Sequence, residues 1–146
     1  MGASNRLLIS KNSLMKKGET DLSILLKSVK PVLNEGEYVF CSVKENKTIE
    51  NDKLVCCFKE KEGTTIVVEK AIADKMNLYY SFVSSWITLS VHSSLEAVGL
   101  TAAFSKALSD AGISCNVIAA YYHDHIFVPV KDKLRAMEAL TTLSQQ

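Results

Sequence analysis

Glycine is scarce and scattered: the six in the chain stand at positions 2, 18, 36, 63, 99 and 112, never closer than 13 residues apart. That spacing allows neither a GxGxxG nor a GxxxxGK(S/T) loop, which excludes the glycine-rich phosphate cradles of most nucleotide-handling enzymes. Charge of one sign is lacking too. With 17 bases against 16 acids the formal net charge is +1, so there is no field to gather nucleic acid or anionic lipid without sequence preference, and no nucleic-acid partner is expected. No apolar run approaches the roughly 20 residues of a membrane helix, so no membrane partner is expected either. The four cysteines, Cys41, Cys56, Cys57 and Cys115, form no CxxC pair and no zinc-like spacing with the three histidines. A reduced, cytoplasmic setting follows, with the cysteines as small core fillers. Adjacent Cys56 and Cys57 in an apolar run point to opposite faces of a strand and are poorly placed for a local disulfide.

What is present is an ordinary globular composition: 47% hydrophobic residues, 23% charged and only two prolines in 146 residues. The length allows one domain or two very small ones, and a chain of this size buries about 68–70% of its extended surface without a metal or disulfide. Residues 1–17 carry Arg6, Lys11, Lys16 and Lys17 and no acid. This charge step sets a flexible leader, 1–17, apart from the rest. Its longest apolar run, Leu7-Leu8-Ile9, is too short for a secretory signal.

Leu22, Leu25, Leu26 and Val29 recur at helical spacing behind Asp21, and Pro31 limits continuation, which predicts a helix over 21–30. A turn at 34–36 leads to an aromatic and β-branched strand over 38–43, then a polar loop over 44–52. Strands over 54–58 and 64–68 flank a connection containing Gly63, and a short helix is expected over 69–76. Further on, Ile87, Leu89 and Val91 alternate with Thr88, Ser90 and His92 as a half-buried strand. Ser93 followed three residues later by Glu96 has the spacing of a capping box, so a helix is expected to begin there. Leu100, Phe104, Ala107, Leu108 and Ala111 continue its stripe, with Gly112 as its left-handed cap. Strands over 113–121 and 126–130 around a turn at 122–125 precede a helix over 131–143. Strand, helix, strand, strand, helix is a ferredoxin-like unit short of its last strand. That strand is expected from the first lobe or the leader.

Three blocks of the second half carry a family likeness: VHSSLEAVGLT from Val91, AGISCNV from Ala111 and YYHDHIFVP from Tyr121. In the first half GETDL from Gly18 and PVLNEGEYVF from Pro31 carry it as well. Together they resemble small bacterial tandem ACT-domain proteins, related to the regulatory domains of aspartate kinases and to the CASTOR arginine sensors. The resemblance implies an α+β fold of two tandem ferredoxin-like (βαββαβ) lobes, with antiparallel sheets and helices on one face. It divides the chain into an N-terminal ACT-like lobe at 18–76, a C-terminal ACT lobe at 77–143 and a tail at 144–146. It further implies a non-catalytic regulatory module that binds a small molecule, an amino acid by family likeness, without a cofactor or metal, and that pairs as a homodimer.

In such domains the ligand lies where the first strand enters the first helix, opposite the second strand. Here that places His92, Ser93, Ser94, Leu95, Glu96 and Gly99 against Ala119, Ala120, Tyr121 and Asp124. Free N–H groups near Leu95 and Glu96 would attract a carboxylate, and Asp124 would hold an ammonium. Asp124 and Tyr121 match positions where the arginine sensors use an acid and an aromatic, whereas Ala97 stands where those sensors carry an acid. His123, Asp124 and His125 would need further metal ligands from elsewhere, and hydrogen-bonded turn residues are the simpler reading. Cys115 has no orienting acid for a nucleophilic pair. A small enzyme on the same scaffold, or a structural interaction domain without ligand, are the alternative functions.

Overall fold

The computed structural model describes residues 18, 20–44, 49–91 and 93–146. Helix α1 (Leu22–Ser28) opens them, and Asp21 caps it by accepting hydrogen bonds from the N–H groups of Ser23 at 2.9 Å and Ile24 at 3.1 Å. Strands β1 (Pro31–Leu33), β2 (Tyr38–Val43), β3 (Leu54–Lys59) and β4 (Thr64–Glu69) follow, then α2 (Lys70–Lys75). The second half contributes β5 (Val83–Leu89), α3 (Leu100–Asp110), β6 (Asn116–Ala119), β7 (Asp124–Pro129) and α4 (Lys133–Ser144).

Among the described residues the strands form one antiparallel sheet in the order β3-β4-β2-β5-β7-β6, and β1 also pairs with β5. Strand β5 is shared. One edge meets β7 along its whole length, from Ser84 opposite Pro129 to Leu89 opposite Asp124. The other edge meets β1, with Leu33 opposite Ile87, and then the start of β2, with Tyr38 opposite Ser84. Between these registers residues 34–37 face only Ser85 and Trp86. The surplus is taken up as a bulge, in which Gly36 adopts φ +96° and Asn34 ties back through its side-chain amide to Trp86 O at 3.2 Å and Thr88 Oγ1 at 2.9 Å. The missing fourth strand of the second lobe is thus β1, supplied from the first lobe as expected.

The fold class is the one the sequence implied, with the helices on a single face. Along β5, Val83, Ile87 and Leu89 share that face by the two-residue alternation of a strand. Under α2 lie Val39, Cys41, Val43, Ile66 and Val68 around Ala73. Under the other helices Leu25 of α1, Phe104 and Leu108 of α3, and Ala136 and Leu140 of α4 close over Ile87, Leu89, Ile126 and Val128. The opposite face carries an aromatic cluster in which Tyr38 meets Trp86 edge-on at 5.3 Å and Phe40 meets Phe127 at 5.2 Å. Buried Tyr38, Val67 and Phe127 are its centre.

Helix α1 packs with α3 and α4 rather than with the first-lobe strands that follow it. Between β2 and β3 the described residues hold only a 3-10 turn, Asn51–Lys53, in keeping with the polar loop expected over 44–52. One local expectation is corrected: the capping box at Ser93 is unused, and α3 starts at Leu100 behind Gly99. Its physical reason lies in the neighbours. Gly18 crosses so close to Ser93 and Ser94 that a Cβ on it would sit 2.5 Å from Ser94 N, which holds this segment as an irregular loop. At the other end of α3 the expected left-handed cap is present: Gly112 has φ +69°, and Ile113 N–H donates to Leu108 O at 2.9 Å.

Candidate functional site

Strands β5 and β7 end together where Leu89 faces Asp124, and Ala119 of β6 flanks Asp124 on its other side. The hairpin between β6 and β7 closes through Ala120 N–H to His123 O at 3.1 Å. His123 then reaches back, with Nδ1 3.2 Å from Val91 O. This contact ties the hairpin to the strand end that leads into the 93–99 loop. In that loop Ala97 N–H donates to Ser94 O at 2.9 Å and Glu96 N–H to Ser94 Oγ at 3.2 Å. The N–H groups near Leu95 and Glu96 are therefore partly consumed locally, and the uncapped first turn of α3 lies further along, at residues 100–102.

Asp124 is the chemical centre of this corner. Alternation puts it on the helix-covered side with Ile126 and Val128, and it is only 7% exposed. Its carboxylate accepts no hydrogen bond and makes no ion pair among the described residues. Burial pushes its pKa up from the ordinary carboxylate value, opposed by the nearby His123. An ionised acid held this way lacks the solvation it would have in water and is poised to gain from a cationic partner.

The other sequence-predicted residues distribute unevenly. Gly99 has φ +96°, and a Cβ there would lie 2.9 Å from Leu22 Cδ2, so α1 leans on the start of α3 at this glycine. Ser93 and Ser94 are half-buried, Ala119 is exposed and Ala120 is half-buried. Leu95 is 69% exposed, and Tyr121 lies at the hairpin tip beside Tyr122, ring centroids 4.9 Å apart. His92 lies outside the described residues, as does the leader 1–17.

His123 and His125 part company despite their spacing. His125 lies on the aromatic face, where Trp86 Nε1–H donates to its Nδ1 at 3.0 Å and Thr88 Oγ1 stands 3.2 Å away. Burial, and then His123, lower its pKa from the usual histidine value, which suits an Nδ1 that accepts. Among the described residues no three His, Cys, Asp or Glu side chains cluster as a metal site. Sequence reasoning missed this Trp86–His125 pair because it depends on strand register between residues 39 positions apart.

Comparison with known proteins now decides the family. An ACT-domain profile matches residues 17–85 and a second one residues 81–142. The chain belongs to the ACT-domain family. As a tandem ACT protein it is similar to a solved Vibrio cholerae protein of unknown function, with 46% identity, a TM-score of 0.74, and coverage of 84% of this chain and 95% of that one. An Agrobacterium tumefaciens protein shares the fold at 17% identity and a TM-score of 0.59, covering 80% of this chain and 89% of the other. So does the regulatory subunit of aspartate kinase from Thermus thermophilus, at 9% identity, a TM-score of 0.55, and coverage of 80% and 98%. No curated protein matches the chain. Among the described residues of this ACT protein no helix is long and apolar enough to cross a membrane.

Proposed function

We propose that this tandem ACT protein is a non-catalytic regulatory module that binds a small amino acid between the 93–99 loop and residues 119–124. The observation that carries the reading is Asp124, a buried carboxylate with no bonded partner among the described residues, and the first turn of α3 has no side-chain cap. An amino acid supplies both missing halves: its ammonium neutralises Asp124, and its carboxylate takes the free N–H groups at the first turn of α3. His92, Ser93, Ser94, Leu95, Glu96, Gly99, Ala119, Ala120 and Tyr121 are the surrounding contacts in this proposal. Pairing of two copies through the sheet edges β3 and β6 belongs to the same reading, since an open edge offers unpaired backbone groups to a second chain. A cytoplasmic location accords with four free cysteines.

The test is a thermal-shift screen of the whole protein against the twenty amino acids, followed by calorimetry. Saturation at 100 times the dissociation constant adds about 2.7 kcal/mol to stability. Asp124→Asn is expected to weaken binding by about 1.5–3 kcal/mol, the worth of a hydrogen bond to a charged group. Equal affinity in the variant would remove the ammonium role. No heat with any amino acid would leave a structural interaction module, and light scattering of a 16 kDa species alone would remove the dimer.

A further inference from the structure

Adjacent serines in β5 have opposite fates. Ser84, on the aromatic face, donates its hydroxyl to Tyr38 O at 2.8 Å. Ser85, on the helix-covered face, is only 2% exposed and its hydroxyl has no partner among the described residues. No unbonded side-chain oxygen is sealed away in the described structure, so the Ser85 hydroxyl keeps an opening. It lines a cleft of about 430 Å³ together with Leu33, Asn34, Glu35 and Gly36 of the β1–β2 bulge and Lys133 at the start of α4. That volume is within the range of small-molecule sites.

The rim carries one charge of each sign. Lys133 and Glu35 are exposed, and neither has an ion-pair partner, with each other or elsewhere, among the described residues. A hydroxyl that opens onto the floor of a cleft and has no protein partner among the described residues offers a hydrogen bond to whatever occupies the cleft. Opposite unpaired charges above it fit a ligand with both signs. The walls come from the chain segment at which the sheet passes from one lobe to the other, so an occupant would touch β1, the bulge, β5 and α4 at once.

We propose that this cleft is a second small-molecule site that takes a zwitterionic α-amino acid, its carboxylate on Lys133, its ammonium on Glu35 and its polar atoms hydrogen-bonded to Ser85. It stands on residues separate from Asp124 and does not rest on that reading. Occupancy would clamp the bulge between the lobes, which couples ligand to the relative placement of the two halves.

The experiment is an amide-resolved NMR titration of the full 15N-labelled chain with each of the twenty L-amino acids at up to millimolar concentration. The N-acetyl and carboxamide derivatives of any binder serve as probes lacking one charge. Saturable shifts are expected at Asn34, Glu35, Gly36, Ser85 and Lys133, and both derivatives should lose them. Lys133→Gln and Glu35→Gln, at exposed positions that leave the fold intact, should each weaken this binding about tenfold, the order expected for losing a hydrogen bond to a charged group. Ser85→Val, which fills the floor, should abolish it while leaving any shifts at Ala120 and Asp124 in place. Shifts confined to 119–124, or unchanged affinity in the charge variants, would overturn the second site and leave the Asp124 reading standing. Shifts confined to the cleft would do the reverse.

Discussion

The two halves of the molecule share a sheet but not a strategy for covering it. Over β2–β4 lies α2, a six-residue helix that buries Ala73 alone. Over β5–β7 lie α3, α4 and the borrowed α1, and they enclose a core with Phe104, Leu25, Leu108 and Leu140 fully buried. A short helix removes little apolar area from water, and three helices remove much more, so the second half is where stability concentrates. The difference teaches that the N-terminal segment is spent on its neighbour: α1 and β1 come from the first half of the sequence and finish the second half of the structure.

The sharpest way to break this comparison is at α1. Leu25→Ala removes a side chain with no exposure and is expected to cost about 2–5 kcal/mol, as core leucine truncations do. Hydrogen exchange should show protection falling in α3 and α4 more than in β3 and β4. Loss confined to β2–β4 would mean that α1 serves the lobe it precedes.

Gly99→Ala probes the same contact from the other side. An alanine at φ +96° is strained by about 1–2 kcal/mol, and its Cβ would press on Leu22. Chemical denaturation should report a loss of at least that size, with Leu22→Ala in the same chain recovering part of it.

A third prediction has the opposite sign. Asp124 binds its proton more tightly in the folded chain, so stability is fullest below the ordinary carboxylate value of 3.8 and declines as pH rises through the raised folded value. Asp124→Asn should remove that decline and leave the ligand-free protein more heat-stable at neutral pH. A melting profile against pH that is identical in both proteins would show that burial of Asp124 carries no penalty.

The smallest effect belongs to the outer surface of α3. The exposed Lys106–Asp110 pair, at 2.6 Å, should be worth about 0.3–0.5 kcal/mol, so Lys106→Ala should scarcely move the denaturation midpoint and should do so less in high salt. A larger loss would mean that solvent-facing charge, not the buried stripe, anchors α3.

Much of the local structure was legible in the residues. Asp21 ahead of Leu22 and Leu25 marked the start of a helix, the alternation through Ile87 and Leu89 marked a half-buried strand, and Gly112 marked the end of α3. The start of α3 was not legible, because Ser93 and Glu96 satisfy the spacing of a capping box while the backbone of Gly18, 75 positions away, occupies the space beside them. The candidate site was half legible. Asp124 was named from the sequence, and it is buried. The partnerless Ser85 was invisible, since nothing local distinguishes it from Ser84.

By itself the sequence determined the elements: turn residues, caps and hydrophobic periodicity act within a few positions of one another, where backbone geometry leaves few choices. Only the tertiary structure decided which elements belong together. It put β1 against β5 and α1 against α3 and α4, with the second half of the chain rather than over β2–β4. The reason is physical: pairing an open strand edge and burying an apolar helix stripe are rewarded wherever a matching surface exists, and that surface is set by residues fifty or more positions away.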